Sequence, residues 1–439
     1  MMTVQIFKHQ ETREAMAIHS APSRRQSFLA VFSVAIFFSL LAVKGDESQP
    51  HFQYRGMKGW SWTPEQYLAE IATMHKLKLN FLMNCYGSMY TSGRDEPPRN
   101  EWWKPMTPAR KAAYKKVIEA CRQNDITFCF AMHPQISSPR PLNLESSEDF
   151  EQFFAHYAWA QSEGVHWFSV SLDDVSWGNA GPEAGGNQHA KFANSIFARL
   201  RKTDPSAQMI FCPGPYWGDG TDPKVRPYLE ALKRQLNQDI YVYWTGDDVV
   251  TPKITRAAAE SYKKAVGHRL FLWDNYPVND AHPTMHLGPV IGRDPNLCDI
   301  IDGYISNPMT TQNEINRLPL ATCADYALNP RSYNPEGSEN QAITNLAATI
   351  PQQDALRALV TLYPGFLVTG GGTGNNPIRD KFKAIVASGN DAAVLSYIQN
   401  VNEVATRFAQ EFPDSFLDAR RTVLADVAWM NSKTRIKNP

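Results

Sequence analysis

From residue 52 onward the apolar positions fall into two alternating rhythms. Short runs rich in β-branched and aromatic residues occupy 52–60, 79–86 (LNFLMNCY), 126–132 (ITFCFAM), 167–173 (WFSVSLD), 208–212 (QMIFC), 239–245 (DIYVYWT), 269–274 (RLFLWD) and 301–306 (IDGYIS). They have the length and composition of buried strands. Between most of them the apolar residues recur with helical spacing, over 64–77, 107–123, 147–163, 187–203, 223–236 and 253–266. Eight strands separated by helices within a few hundred residues predict an α/β chain built as a (β/α)8, or TIM, barrel. A doubly wound open sheet would need fewer strands and a glycine-rich first turn, which residues 56–63 do not supply.

After about residue 330 the rhythm changes. Segments 338–350, 352–362, 377–387, 390–411 and 413–431 are alanine-rich and helix-periodic, so the barrel at 51–330 is expected to be followed by a small α-helical C-terminal domain at 331–439. GGGTG at 370–374 has neither the lysine of a P-loop nor the preceding strand of a dinucleotide fingerprint, and reads as a flexible connection. At the other end, Arg24 and Arg25 precede an apolar run from Phe28 to Val43 broken by Ser33 and Ser39. A basic flank before such a run reads as a secretory signal or an uncleaved signal anchor, with the mature chain starting between Lys44 and His51. The expectation is an exported protein, secreted or periplasmic, that meets a membrane through this segment alone.

Composition adds mainly exclusions. Apolar residues make up 43% and charged residues 20% of the 439 positions, which supports a folded core. Lys plus Arg and Asp plus Glu each number 44, so no net field attracts nucleic acid. The six cysteines, Cys85, Cys121, Cys129, Cys212, Cys298 and Cys323, have no zinc-site spacing, and no motif calls for a metal or an organic cofactor. Cys85, Cys129 and Cys212 lie in strand-like runs and read as buried free thiols.

In a barrel of this kind the chemistry sits where the strands end. Those positions offer Asn84, His133, the pair Asp173-Asp174, Tyr216, Trp244, Asp274, Asn275 and Asn307. Carboxylates, amides and aromatic rings together suit a sugar, which presents hydroxyls at its rim and C–H faces to stacking rings. The sharpest feature is FSVSLDDV at 168–175. Neighbours on a strand point to opposite faces, so either Asp173 faces inward while Asp174 caps the next helix, or the strand has ended and both carboxylates turn into the pocket. In the second case the like charges raise one pKa, as a general acid requires. His133 reads either as a substrate contact or as a hydrogen-bonded structural histidine, Trp102-Trp103 as a stacking lip or as helix packing, and Asp247-Asp248 as a solvated loop.

The run LFLWDNYPVNDAHPTMHLGPVIGR at 270–293, followed by ISNP at 305–308, resembles the pocket motif of the family-84 glycoside hydrolases, the β-N-acetylglucosaminidases that include the O-GlcNAcases. WTG at 244–246, SLDDV at 171–175, the Pro-x-x-Tyr segment 213–216 and Arg55-Gly56…Gly59 follow the family order, over about residues 54–330. The resemblance implies that Asp174 is the general acid/base and that Asp173 holds the acetamido N–H. It implies that Tyr216 contacts the acetamido carbonyl, that Trp273 and Asn275 line the acetyl pocket, and that Asp280 and Asn307 grip the sugar's O4, O6 and O3 side. Gly59 matches a glycine whose backbone faces the sugar, and Trp244 belongs to the same substrate-binding set. The implied partner is a glycan or glycoconjugate carrying N-acetylglucosamine, cleaved with help from its own acetamide through an oxazoline.

Two departures stand out. The family's GFYG turn reads Gly59-Trp60-Ser61-Trp62, and its pocket lysine is replaced by Gly87. They leave two other readings in play: a silent glycan-binding barrel, and a glycosidase for sugars without an acetamide that pairs Asp174 with Asp247 or Asp248.

Overall fold

Eight parallel strands close on themselves in chain order: β1 (Tyr54–Met57), β2 (Phe81–Met83), β3 (Thr127–Met132), β4 (Trp167–Ser171), β5 (Gln208–Cys212), β6 (Tyr241–Trp244), β7 (Leu270–Pro277) and β8 (Ile301–Asn307). This computed structural model describes residues 50–86, 89, 99–175, 177, 180–280, 284–310 and 312–434. The expected signal segment and Gly87 lie outside the described residues. Every strand falls within or next to a run of the sequence pattern, and β1 pairs with β8 from Tyr54↔Gly303 to Met57↔Ser306, which completes the (β/α)8 barrel.

Alternation along each strand sorts the side chains. On β1 Tyr54, Gly56 and then Lys58 follow the inward direction, while Met57 joins the outer core beneath the helices. The floor of the barrel is aromatic. Tyr54 lies 4.6 Å from Trp167 and stacks on Phe271 at 5.4 Å, and Phe81 meets Trp167 edge-on at 5.3 Å. Such pairs add about 0.5–1.5 kcal/mol each beyond the area they bury. Glycine makes the room: a Cβ on Gly56 would sit 1.9 Å from the Phe81 carbonyl oxygen, and one on Gly303 2.2 Å from the Phe271 ring. These rings fill the lower interior of the barrel, as in a packed barrel core, and leave the C-terminal ends of the strands to carry the site.

The helices around the barrel are α1 (Pro64–Lys76), α2 (Pro108–Gln123), α3 (Ser147–Ser162), α4 (Pro182–Thr203), α5 (Arg226–Gln235), α6 (Arg256–Val266) and α7 (Arg317–Leu328). Then come α8 (Pro335–Leu346), α9 (Ile350–Leu362), α10 (Phe366–Thr369), α11 (Pro377–Ala387), α12 (Asp391–Glu411) and α13 (Leu417–Lys433). Many start as the sequence leads one to expect: Thr63, Thr107, Ser146, Thr255, Asn334, Thr349, Asn376 and Asn390 each accept from the backbone N–H three residues on. A cap of this kind contributes about 1 kcal/mol.

α8 is shifted from the predicted 338–350 to Pro335–Leu346, the short α10 lies in no predicted segment, and two further departures have a plain physical cause. α4 starts at Pro182, five residues before the predicted 187, because Gly185 and Gly186 hide its first turns from propensity. Both are needed for close packing, since a Cβ there would lie 2.2 Å from Trp177 and 2.6 Å from the Tyr228 carbonyl oxygen. α7, which the periodicity missed, is buried on nearly every side and so shows no polar face.

The helices after α7 gather a second core around Leu356, Leu359, Tyr363, Phe382 and Phe408. Met285 and Leu287, from the long β7–β8 connection, belong to this core, and Leu287 N–H donates to Tyr363 O at 3.0 Å. The barrel and these helices form one compact unit.

Candidate active site

The site is assembled where β4 runs out. Ser169, Ser171 and Asp173 share the inward series of β4, while Phe168, Val170 and Leu172 enter the outer core. Asp174 then adopts φ +58°, a left-handed conformation that an Asp tolerates better than most residues. The turn brings its carboxylate to the same side as Asp173, so Asp174 Oδ1 accepts from Tyr216 Oη at 3.1 Å. Asp174 caps no helix, because α4 begins only at Pro182 with Gly181 before it. Both acids therefore open onto the pocket.

Their surroundings differ. Asp173 is buried, and its Oδ2 accepts from Tyr86 Oη at 3.1 Å. His133, fully buried, explains the rest of its placement. His133 Nδ1 accepts from the N–H groups of Gln135 and Ile136 at 3.0 and 2.9 Å, so the hydrogen must be on Nε2 and is donated to the Asp173 carbonyl at 2.9 Å. Nε2 also stands 3.5 Å from Asp173 Oδ1, but its one hydrogen is already directed. Burial pulls the imidazole down from its ordinary value, with Asp173 opposing, so His133 works as a neutral positioning residue. Cys212 lies beside Asp173, and burial, then that carboxylate, push its thiol up.

Asp174 is exposed at the mouth. Partial burial in the rim first, and the Asp173 charge second, raise its carboxyl above the usual range, while the Tyr216 hydrogen bond works against them. Tyr216 itself is pushed up by burial and by Asp174, so it stays a donor.

The β7 and β8 residues complete the pocket through the same alternation. Trp273 and Asn275 face inward, whereas Asp274 points out and is fully buried against Arg293, which holds both its oxygens at 2.5 and 2.8 Å, with Tyr304 Oη at 2.8 Å. Asn275 Nδ2 donates to Val249 O at 2.7 Å and its Oδ1 accepts from Asn307 Nδ2 at 2.8 Å. The two amides thus orient one another. Asp280 is exposed on the following loop, near enough to Lys58 and Asp174 to act on the charge of each. Among the described residues, Asp173 Oδ1, Trp273 Nε1 and Asn307 Oδ1 are buried polar atoms without a hydrogen-bond partner. Such atoms cost stability unless something else satisfies them.

Some expectations need correction. Trp244 does not reach the pocket. It is fully buried in the outer core, stacks on Tyr262 at 5.9 Å and donates its indole N–H to Gly218 O at 2.8 Å. The inward positions of β6 are Tyr241 and Tyr243, so a ring one residue further must face the helices. At Gly59 the carbonyl oxygen accepts from Tyr67 Oη at 2.9 Å and from the Trp62 N–H at 3.2 Å, and a Cβ would meet the Trp62 ring at 2.3 Å, so the position also has a packing role.

Asn84 bridges β2 and β3 through both backbone groups of Ala131. Trp102 is packed in the core, with its N–H on Arg140 O at 2.7 Å. Asp247 and Asp248 are exposed. Tyr86 and Lys58 are the site residues the sequence reading overlooked. The period-2 continuation of β1 would have pointed Lys58 inward, whereas Tyr86 ends the predicted run 79–86 but lies past β2, where alternation no longer says which way a side chain points. Among the described residues, no group of three or more His, Cys, Asp or Glu side chains is arranged to hold a metal ion.

A closed (β/α)8 barrel with a carboxylate pair, one member of raised pKa, at its C-terminal mouth carries the groups that a glycoside hydrolase uses. The family model for beta-N-acetylglucosaminidase matches residues 55–362, and the chain belongs to that family, the β-N-acetylglucosaminidases of glycoside hydrolase family 84. It is similar to an O-GlcNAc hydrolase variant from Thermobaculum terrenum, at 25% identity and a TM-score of 0.68, over 87% of this chain and 82% of that one. The fold is also that of CpGH84B, with 23% identity and a TM-score of 0.64, over 87% of this chain and 66% of that one.

Proposed function

We propose that this β-N-acetylglucosaminidase removes terminal β-linked N-acetylglucosamine with retention of configuration, using the substrate's own acetamide as nucleophile. The acetamido oxygen attacks the anomeric carbon while the bond to the leaving oxygen breaks. Asp174 gives its proton to that oxygen, and the sugar becomes a bicyclic oxazolinium ion whose N–H stays hydrogen-bonded to Asp173. Water then adds to the anomeric carbon, the bond to the acetamido oxygen breaks, and the water's proton returns to Asp174. Asp173 Oδ1 takes the acetamido N–H and stabilises positive charge growing on that nitrogen. Tyr216, Trp273 and Asn275 surround the acetyl arm, and Asp280 and Asn307 hold the far side of the ring.

The observation that supports this reading best is the pairing of an unsatisfied, buried Asp173 Oδ1 with an exposed Asp174 whose carboxyl is raised above its ordinary range by burial and by its neighbour's charge. Two carboxylates that act as nucleophile and acid on a sugar without an acetamide would face each other across the scissile bond, about 5 Å or more apart. Adjacent residues on one strand end suit an arrangement in which only one of them handles the leaving group. The test is proton NMR of the first sugar released from 4-nitrophenyl β-N-acetylglucosaminide, together with inhibition by a thiazoline that mimics the oxazoline. Initial release of the β anomer and tight inhibition are expected. Release of the α anomer, or indifference to the thiazoline, would rule the mechanism out.

A further inference from the structure

Lys58 follows β1 on the inward series begun by Tyr54 and Gly56, and only 1% of it is exposed. A buried lysine needs a reason, because desolvation of its charge is costly. Its Nζ lies 4.0 Å from the centroid of the Trp273 ring, 4.9 Å from that of Tyr86 and 5.0 Å from that of Trp60. Three ring faces at these distances attract a cation and hold it in place. They are poor partners for its N–H groups, of which an ammonium has three, each suited to an oxygen acceptor.

The rings are themselves parts of the site. Tyr86 secures Asp173, and Trp273 presents its unpartnered N–H nearby. Burial pulls the amine down, while Cys85, Asp173, Cys212 and Asp280 around it act in the other direction. Lys58 therefore shares its surroundings with the two carboxylates that, in the proposed reading, grip opposite ends of the sugar.

We infer that Lys58 is a specificity-determining residue of this pocket. Its caged ammonium donates a hydrogen bond to a ring hydroxyl of the bound sugar, and so supplies from the first strand the amine that the sequence lacks at Gly87. This rests on the glycosidase reading above and adds to it the group that recognises the hydroxyl pattern of the ring. The role is binding and orientation, with no proton moved.

The experiment compares wild type with Lys58→Met on 4-nitrophenyl β-N-acetylglucosaminide and on three monodeoxy analogues that lack O3, O4 or O6. In wild type one analogue is expected to lose about tenfold to hundredfold in kcat/KM, the span of a hydrogen bond to a charged group. In Lys58→Met the parent sugar shows a raised KM with kcat largely kept, and the penalty on that one analogue disappears. A purely structural lysine would depress all four substrates alike and leave the analogue penalties unchanged, which overturns the inference.

If Lys58→Met does not fold, the wild-type protein answers by NMR of isotope-labelled lysine side chains. The Lys58 ammonium signal moves when N-acetylglucosamine is added, and a signal that stays in place overturns the inference. Wild-type protein that leaves the parent glycoside intact overturns the reading beneath it as well. Wild-type turnover with unchanged penalties removes Lys58 alone.

Discussion

At Asp174 the backbone takes a φ of +58°, a conformation that costs a non-glycine residue about 1–2 kcal/mol in a regular chain and somewhat less for Asp. The strain turns a second consecutive carboxylate toward the pocket, next to Tyr216. Asp174→Asn keeps the shape and the hydrogen bond but loses the proton. Its kcat on a glycoside with a poor leaving group is expected to fall by about 10²–10⁴-fold, and by less on a nitrophenyl glycoside, whose leaving group needs little protonation. Equal losses on both would contradict a general acid.

The pH dependence follows from the direction of the shift. A general acid must be protonated, and burial with Asp173 raises the Asp174 carboxyl, so activity should persist above the ordinary carboxylate range and fall as pH climbs through the raised pKa. Asp173→Asn removes the neighbouring charge, and its residual pH–kcat profile should show the alkaline limb moved to lower pH. A limb that stays put or moves upward would be against the assignment. Tyr86→Phe deletes the hydroxyl that donates to Asp173 and should lower kcat/KM by about tenfold to hundredfold without changing the melting temperature much. The acid pair was legible because two consecutive acids break the strand alternation. Lys58 was legible only by carrying the β1 alternation one residue past the strand, and Tyr86 was not, because its partner Asp173 is far away in the sequence.

Period 2 was the reliable guide among the elements, and where it was followed strictly it also separated pocket from core. WDN at 273–275 reads in-out-in, so Trp273 and Asn275 enter the pocket while Asp274 is held by Arg293 on the outer side. The same count applied to 241–244 sends Trp244 outward, a step that a motif-based assignment passes over. Amphipathic helices were visible for the complementary reason: one face meets the barrel and the other meets water. α7 escaped because it is enclosed, and the first turns of α4 because packing demanded glycine where propensity opposes it.

The aromatic floor was hidden as well, since nothing local says that Tyr54, Phe81, Trp167 and Phe271 meet. It depends on two small positions. Gly303→Ala would place a methyl 2.2 Å from the Phe271 ring, and Gly56→Ala would place one 1.9 Å from a backbone oxygen that cannot swing away. Overpacking typically costs about 1–3 kcal/mol, and Gly56→Ala should lie at or above the upper end. Urea unfolding monitored by tryptophan fluorescence measures both, and wild-type stability in Gly56→Ala would refute the packing argument.

For the molecule as a whole, the helices after residue 334 act as part of the active-site scaffold. The β7–β8 connection carries Asp280 and Arg293, and in between it is fastened to those helices. Leu287 N–H donates to Tyr363 O at 3.0 Å, His286 Nε2 lies 3.0 Å from Thr373 O, and Met285 and Leu287 fill the helical core. Gly288 is pressed so closely on Pro364 that a Cβ would come within 2.0 Å of its carbonyl oxygen. A chain ending at residue 334 would uncover those apolar side chains and release the loop that orients the far side of the pocket. It should therefore be poorly soluble or lose most of its activity on nitrophenyl N-acetylglucosaminide. Gly288→Ala is the milder probe, since it substitutes no pocket residue and strains the seam directly. We expect it to lower both the melting temperature and kcat/KM, because the seam carries the loop. A truncated chain that melts cooperatively with wild-type kcat/KM would show the barrel to be self-sufficient, and the loop would then have to be held by the barrel's own contacts, Arg293 with Asp274 foremost among them.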